Sequence, residues 1–137
     1  MGGQSVVVER PCPECSGRAQ VVIGARSEDG ELRCFESLRC PSCGCAQEAD
    51  GRELLEYMRN ALCAVHGRWS AHVRDLGVDR VAALAALCRH LGFAPAEALR
   101  VVREAKPIVH GVLVEIEQVQ ALLEPAGVVL AIARVTG

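Results

Sequence analysis

A chain of 137 residues, half of them apolar, has room for one ordinary domain or two small ones. Only Phe35, Tyr57, Trp69 and Phe93 are aromatic, so any core is built from Val, Leu, Ile and Ala, a composition that suits a packed protein and argues against disorder. Fifteen Lys and Arg against seventeen Asp and Glu give a net charge of −2, which excludes a basic nucleic-acid binder by bulk charge. The longest apolar run, AGVVLAIA, is too short to cross a bilayer, and the start MGGQSVVVERP lacks the basic region and apolar core of a signal peptide.

Residues 1–50 hold six of the eight cysteines and three strand-like runs, SVVVE, AQVVIGA and ELRCFESLR. SEDG at 27–30 separates the last two and predicts a hairpin turn with Asp-Gly at its centre. Cys12-Pro-Glu-Cys15-Ser-Gly17 and Cys40-Pro-Ser-Cys43-Gly44 are two copies of one device. Two cysteines three apart bracket a tight turn, so both sulfurs face one ion. Proline after the first stiffens the turn, and a glycine soon after the second permits the left-handed residue that ends it. Without a signal peptide, such paired motifs point to a metal in a reducing, cytoplasmic compartment rather than to disulfides.

Four thiolates suit one tetrahedral Zn²⁺, and the expected ligands are Cys12, Cys15, Cys40 and Cys43. Alternation along the following strand points Cys45 away from the ion, although its replacing Cys43 as a ligand stays open, as does a redox role for the Cys-x-x-Cys pairs. Cys34, Cys63 and Cys88 fall on apolar faces and read as small buried residues. The pattern resembles a zinc ribbon. A four-sulfur site has no vacant position and cannot activate water, so the ion would be structural, contributing on the order of 10 kcal/mol to folding.

DGRELLEYMRNALCAVHG follows, and its Asp50…Glu53 spacing with the stripe Leu54, Met58, Leu62 and Val65 predicts a helix over 51–65 that bridges, within 51–69, to a second region. Residues 70–137 read as strand SAHVRDL, helix VDRVAALAALCRHLG capped by Asp79, helix PAEALRVVREA, strand IVHGVLV, helix EIEQVQALLEPAG and strand VVLAIARV. The last is apolar on both faces, as a central strand covered by helices would be. The expected class is α+β: a small β zinc ribbon over 1–50, plus a three-stranded sheet with three helices in the order β-α-α-β-α-β.

Residues 70–137 resemble the C-terminal domain of the bacterial ribosomal stalk protein of the large subunit. The resemblance is carried by Arg80-Val81-Ala82-Ala83-Leu84, by Gly92-Phe93-Ala94-Pro95-Ala96-Glu97-Ala98, by Pro107, and by Ala121-Leu122-Leu123-Glu124-Pro125-Ala126-Gly127-Val128. It implies a three-stranded antiparallel sheet with helices on one face, and binding of another protein by the first two helices. There Arg80, Arg89, Arg100 and Arg103 are the candidate contacts. The family's lysines are missing at Ala85, Ala96 and Leu99. A vaguer likeness, through Cys40 to Gly44, is to small bacterial proteins with two Cys-x-x-Cys-Gly motifs, some of which neutralise a toxin.

Nothing in the chain resembles a phosphate-cradling loop, a serine nucleophile motif or a carboxylate pair. His66 and His90 fall near helix C-termini, where positive charge is welcome. A Cys63–His66 thiol–imidazole pair has no third group to orient it. Arg10, Arg18, Arg26, Arg33 and Arg39 could line a nucleic-acid stripe, but acids interleave with them and Phe35 is the sole aromatic among them. The expectation is therefore a non-enzymatic, bacterial-type cytoplasmic protein with one structural Zn²⁺ and a protein partner. Toxin neutralisation and nucleic-acid or ribosome association stand as alternatives, and no membrane role is expected.

Overall fold

The structure, a computed structural model, describes residues 3–135. The chain divides into two compact units, one ending at Gly67 and the other beginning at Arg68. Both pair a sheet with helices, so the class is α+β, with two antiparallel sheets of four and three strands and four helices.

In the first unit β1 (Gln4–Pro11), β2 (Arg18–Glu28), β3 (Glu31–Arg39) and β4 (Ala46–Gly51) form a meander in that spatial order. Asp29 and Gly30 connect β2 to β3, with φ of 53° and 79°. Two successive left-handed residues give the tight turn whose twist matches the flanking strands, and Asp-Gly tolerates it best. Alternation then sorts the side chains. Val6, Val21, Ile23, Ala25, Cys34 and Leu38 are buried on one face. On the other, the Phe35 ring lies over its cross-strand neighbour Gly24, in space that any Cβ there would occupy.

The buried face is covered by α1 (Glu56–His66), which packs on β1 and β2. Leu54, Met58 and Leu62 are at most 5% exposed, and burying each contributes about 1.5–3 kcal/mol. The helix starts later than the 51–65 expected. Asp50 and Gly51 are extended and pair with Phe35 and Cys34 of β3, so the Asp50…Glu53 capping pattern is never used. Leu55 takes the N-cap position with no side-chain cap.

In the second unit β5 (Trp69–Asp75) lies between β6 (Val109–Gly111) and β7 (Val129–Arg134), both antiparallel to it. The helices α2 (Arg80–Leu91), α3 (Pro95–Arg103) and α4 (Leu113–Leu123) pack on the face bearing Ala71, Val73 and Leu130. Asp79 Oδ1 accepts the Ala82 amide at 3.0 Å, and Gly92, at φ 75°, ends α2, as the sequence requires. The core joins Ala83, Ala86 and Leu87 of α2 to Ala98 of α3 and Ile116, Val119 and Leu123 of α4.

Two elements differ from expectation. IVHGVLV keeps only three strand residues, because the Val112 amide turns to Glu115 Oε1 (3.1 Å) and α4 begins at Leu113. VVLAIARV is an edge strand and not the central one; β5 holds the centre although its outer residues are polar. Among the described residues no helix is long and apolar enough to cross a membrane.

Candidate metal centre

Because the sheet is a meander, the β1–β2 and β3–β4 connections fall at the same end, and they are the two Cys-x-x-Cys segments. The segments repeat each other bond for bond. Cys12 N–H donates to Gly17 O (2.7 Å) as Cys40 N–H does to Cys45 O (2.9 Å), and Ser16 N–H donates to Cys12 O (2.9 Å) as Gly44 N–H does to Cys40 O (2.9 Å). Gly44, at φ 79°, takes the left-handed position of the second turn, but in the first Ser16, at φ 62°, takes it. Gly17 serves a different need: a Cβ there would come within 3.1 Å of Cys15 Sγ and 3.3 Å of Ser42 Oγ of the opposite turn.

The sulfurs of Cys12, Cys15, Cys40 and Cys43 all lie within 4.8 Å of one another. Each turn's first cysteine faces the other's second, with Cys12–Cys43 and Cys15–Cys40 both at 3.6 Å. Four thiolates around tetrahedral Zn²⁺ sit about 3.8 Å apart, from a Zn–S distance of about 2.3 Å, so the donor set fits that ion. Backbone amides approach the sulfurs as well, Glu14 N–H at Cys12 (3.4 Å) and Gly17 N–H at Cys15 (3.3 Å). Cys12 and Cys40 are buried while Cys15 and Cys43 are exposed, so one side of the cluster faces solvent.

These contacts split the thiols. The Cys43 amide, helped by that of Ser42, brings Cys40 down to about 6. The Cys15 amide likewise lowers Cys12. At Cys43 the Cys45 amide pulls down, but burial and the three neighbouring sulfurs push it up to about 12. At Cys15 the Gly17 amide, and to a lesser extent Cys43, pull down but are outweighed by the Cys40 sulfur, burial and the Cys12 sulfur, leaving the thiol raised. Two thiols are thus shifted toward the thiolate and two away from it, and a bound metal would displace the protons that remain.

In the second turn Cys43 joins the four-sulfur set, and Cys45 does not. Nor does it point fully away: it is half-buried, and its thiol is raised by burial and then by the charge of nearby Cys12. Its place in the repeat is that of Gly17. Setting CPECSG against CPSCGC would have shown this, and would also have shown that Ser16, not Gly17, matches Gly44.

The remaining candidates are scattered. Cys34 is buried on β3, and Cys63 and Cys88 are half-buried on α1 and α2. His66 Nε2–H donates to the Ser5 carbonyl at 2.7 Å, which ties the end of α1 to β1. The five arginines of the supposed stripe are all engaged with carboxylates: Arg10–Glu36 (2.7 Å), Arg18–Glu9 (3.1 Å), Arg26–Glu28 (3.3 Å), Arg33–Glu31 (2.9 Å) and Arg39–Glu48 (4.0 Å). Arg80, Arg89, Arg100 and Arg103 are exposed and, among the described residues, form no ion pair. Arg89, Arg100 and Arg103 lie in last turns, where the helix dipole favours them; Arg80 opens α2, where the dipole opposes it.

A polar cluster had no signal in the sequence. Tyr57 O–H donates to Glu36 Oε1 (3.0 Å), which also holds Arg10, and the Arg10 guanidinium lies 5.3 Å from the Tyr57 ring centroid. Burial, then the Glu36 carboxylate, raises the Tyr57 phenol. The three residues come from β1, β3 and α1, and no spacing rule connects them. Comparison of the chain with protein-family models, curated proteins and solved structures finds no match.

Proposed function

We propose that the protein is a non-enzymatic, zinc-dependent interaction module. The first unit is a zinc-ribbon-like scaffold holding one structural Zn²⁺ through Cys12, Cys15, Cys40 and Cys43, and the second, stalk-like unit binds another protein in the cytoplasm. The observation that carries the reading is the set of four sulfurs within 4.8 Å of one another on two matched turns. With four protein ligands the ion has no coordination position left for a substrate or an activated water.

Support for the partner-binding half is the element order of the second unit and the uncommitted charge on its first two helices, where Arg80 has no role in stabilising its own helix. Nucleic-acid association loses its main support, because each of Arg10, Arg18, Arg26, Arg33 and Arg39 would have to give up a carboxylate before meeting a phosphate.

Elemental analysis of reduced, purified protein is the test. One zinc per chain is expected, falling to none in Cys12→Ser/Cys40→Ser. Protein that folds with no stoichiometric metal would overturn the reading.

A further inference from the structure

Set against each other, CPECSG and CPSCGC end differently: the first turn closes on Gly17 and the second on Cys45. Both residues are held by the same bond, their carbonyls accepting the Cys12 and Cys40 amides at 2.7 and 2.9 Å. A glycine therefore suffices to close such a turn, and the Cys45 side chain is not required by the backbone. At Gly17 an added Cβ would lie 3.1 Å from Cys15 Sγ and 3.3 Å from Ser42 Oγ of the opposite turn. The repeat places the Cys45 Cβ correspondingly, beside Cys43 and toward Glu14, the opposite turn's counterpart of Ser42.

The surroundings of the thiol agree with that placement. Burial raises it first, then the charge of Cys12 and contact with its sulfur, then the charges of Cys43 and Glu14. Cys45 thus stands beside both Cys43 of its own turn and Cys12 of the other, the two sulfurs that face each other at 3.6 Å. Cys34, by contrast, pairs with Gly51 at the far end of the β3–β4 ladder, and Cys63 and Cys88 lie on α1 and α2. A fifth thiol therefore adjoins a centre that needs four.

We propose that Cys45 is a reserve ligand of the metal centre: when Cys43 is displaced, the Cys45 sulfur takes its place and completes the four-thiolate set. The proposal rests on the zinc reading given above. Cys12 and Cys40 are buried, whereas Cys43 is exposed and meets a competing chelator first. The exchange asks for rotation about the Cys45 χ1 bond rather than for refolding of the turn, because the Cβ of Cys45 already stands against the Cys43 sulfur. One soft thiolate replaces another, so the tetrahedral set that Zn²⁺ favours is kept. The first turn has no such reserve. Cys15 is also exposed, but Gly17 has no sulfur to offer. The two solvent-facing ligands, alike in the repeat, therefore differ in consequence: the loss of one is made good and the loss of the other is not.

Cobalt(II) and zinc titrations of the full, reduced chain test this, because Co²⁺ held by thiolates absorbs in the near-ultraviolet in proportion to the number of sulfurs. The natural chain should show four thiolates; if it bound neither ion, the zinc reading itself would fail and the reserve with it. Cys43→Ser should keep a four-thiolate Co²⁺ spectrum and lose less than about tenfold in zinc affinity, whereas Cys15→Ser and Cys43→Ser/Cys45→Ser should fall to three thiolates and lose at least about a hundredfold. Cys45→Ser alone should change neither reading. In zinc-loaded protein, iodoacetamide followed by mass spectrometry should label Cys45 of the natural chain and spare it in Cys43→Ser. Given a natural chain that binds its ion, a Cys43→Ser chain that binds no better than Cys15→Ser, shows three thiolates, leaves Cys45 open to alkylation or fails to fold with zinc present would overturn the inference.

Discussion

The two units pair sheet with helix yet are held together differently. Of the nine largest side chains that are essentially inaccessible, Val21, Ile23 and Leu62 belong to the first unit, and Leu87, Val112, Val114, Ile116, Leu123 and Val128 to the second. The second unit is stabilised by apolar packing from three helices on one sheet face. The first has one covering helix, an outer face of paired charges, and two turns whose sulfurs converge. Where apolar burial is limited, a metal centre can supply what a small domain lacks. The arginines follow the same division: those on the strands of the first sheet are paired with carboxylates, whereas those on α2 and α3 are left to solvent.

Chelation should separate the units most sharply. Removing zinc, or changing Cys40 to Ser, is expected to collapse the dispersed amide resonances of residues 3–67 while those of 68–135 stay in place. Loss of both sets together, or of neither, would show that the two do not differ in this way. Next in size is the converse, Leu87→Ala. That side chain is fully buried among α2, α3 and α4, and its truncation should cost about 2–5 kcal/mol of the second unit's stability. Zinc content should be unchanged, as read by denaturant unfolding alongside metal analysis.

A smaller effect, graded by pH, belongs to the first unit alone. Near neutral pH the raised Cys15 and Cys43 hold their protons, while Cys40, at about 6, is mostly thiolate and Cys12 is lowered in the same direction. Zinc must then displace at least two protons, those of Cys15 and Cys43, so its affinity should drop at least about a hundredfold for each pH unit lowered. Below about 6, as Cys40 also protonates, the drop should steepen. Calorimetry in buffers of differing ionisation enthalpy measures the proton count, and a count of zero would contradict this division of the thiols.

What was readable beforehand follows the range of the forces involved. The Cys-x-x-Cys turns, the Asp29-Gly30 hairpin, the Asp79 cap and the Gly92 stop are each decided by a few adjacent residues, and each stands where the spacing put it. Elements decided by tertiary neighbours were not readable. AQEADG has no apolar alternation and is a strand only because β3 offers it an edge. The start of α1 was misjudged because Asp50 is drawn into the same ladder. The position of β7 was misjudged because hydropathy records how much a strand would bury, not which strands flank it. At the candidate metal site the convergence of Cys12, Cys15, Cys40 and Cys43 was legible from spacing, and the kinship of Cys45 with Gly17 from aligning the two motifs, but the Gly17–Ser42 approach needed the two turns face to face.

The nearest-neighbour order of the first sheet bears on how its metal site is assembled. Every strand pairs only with one adjacent along the chain, so closing the Asp29-Gly30 turn and zipping β2 onto β3 requires no distant search. That single local event pairs Gln20 with Arg39, which directly precedes the second cysteine turn, at the end of the sheet where the first turn leads into β2. Closing that hairpin and binding the ion are therefore one coupled event: the turn brings the two dithiols to one end of the sheet, and the ion that ties them together holds the hairpin shut.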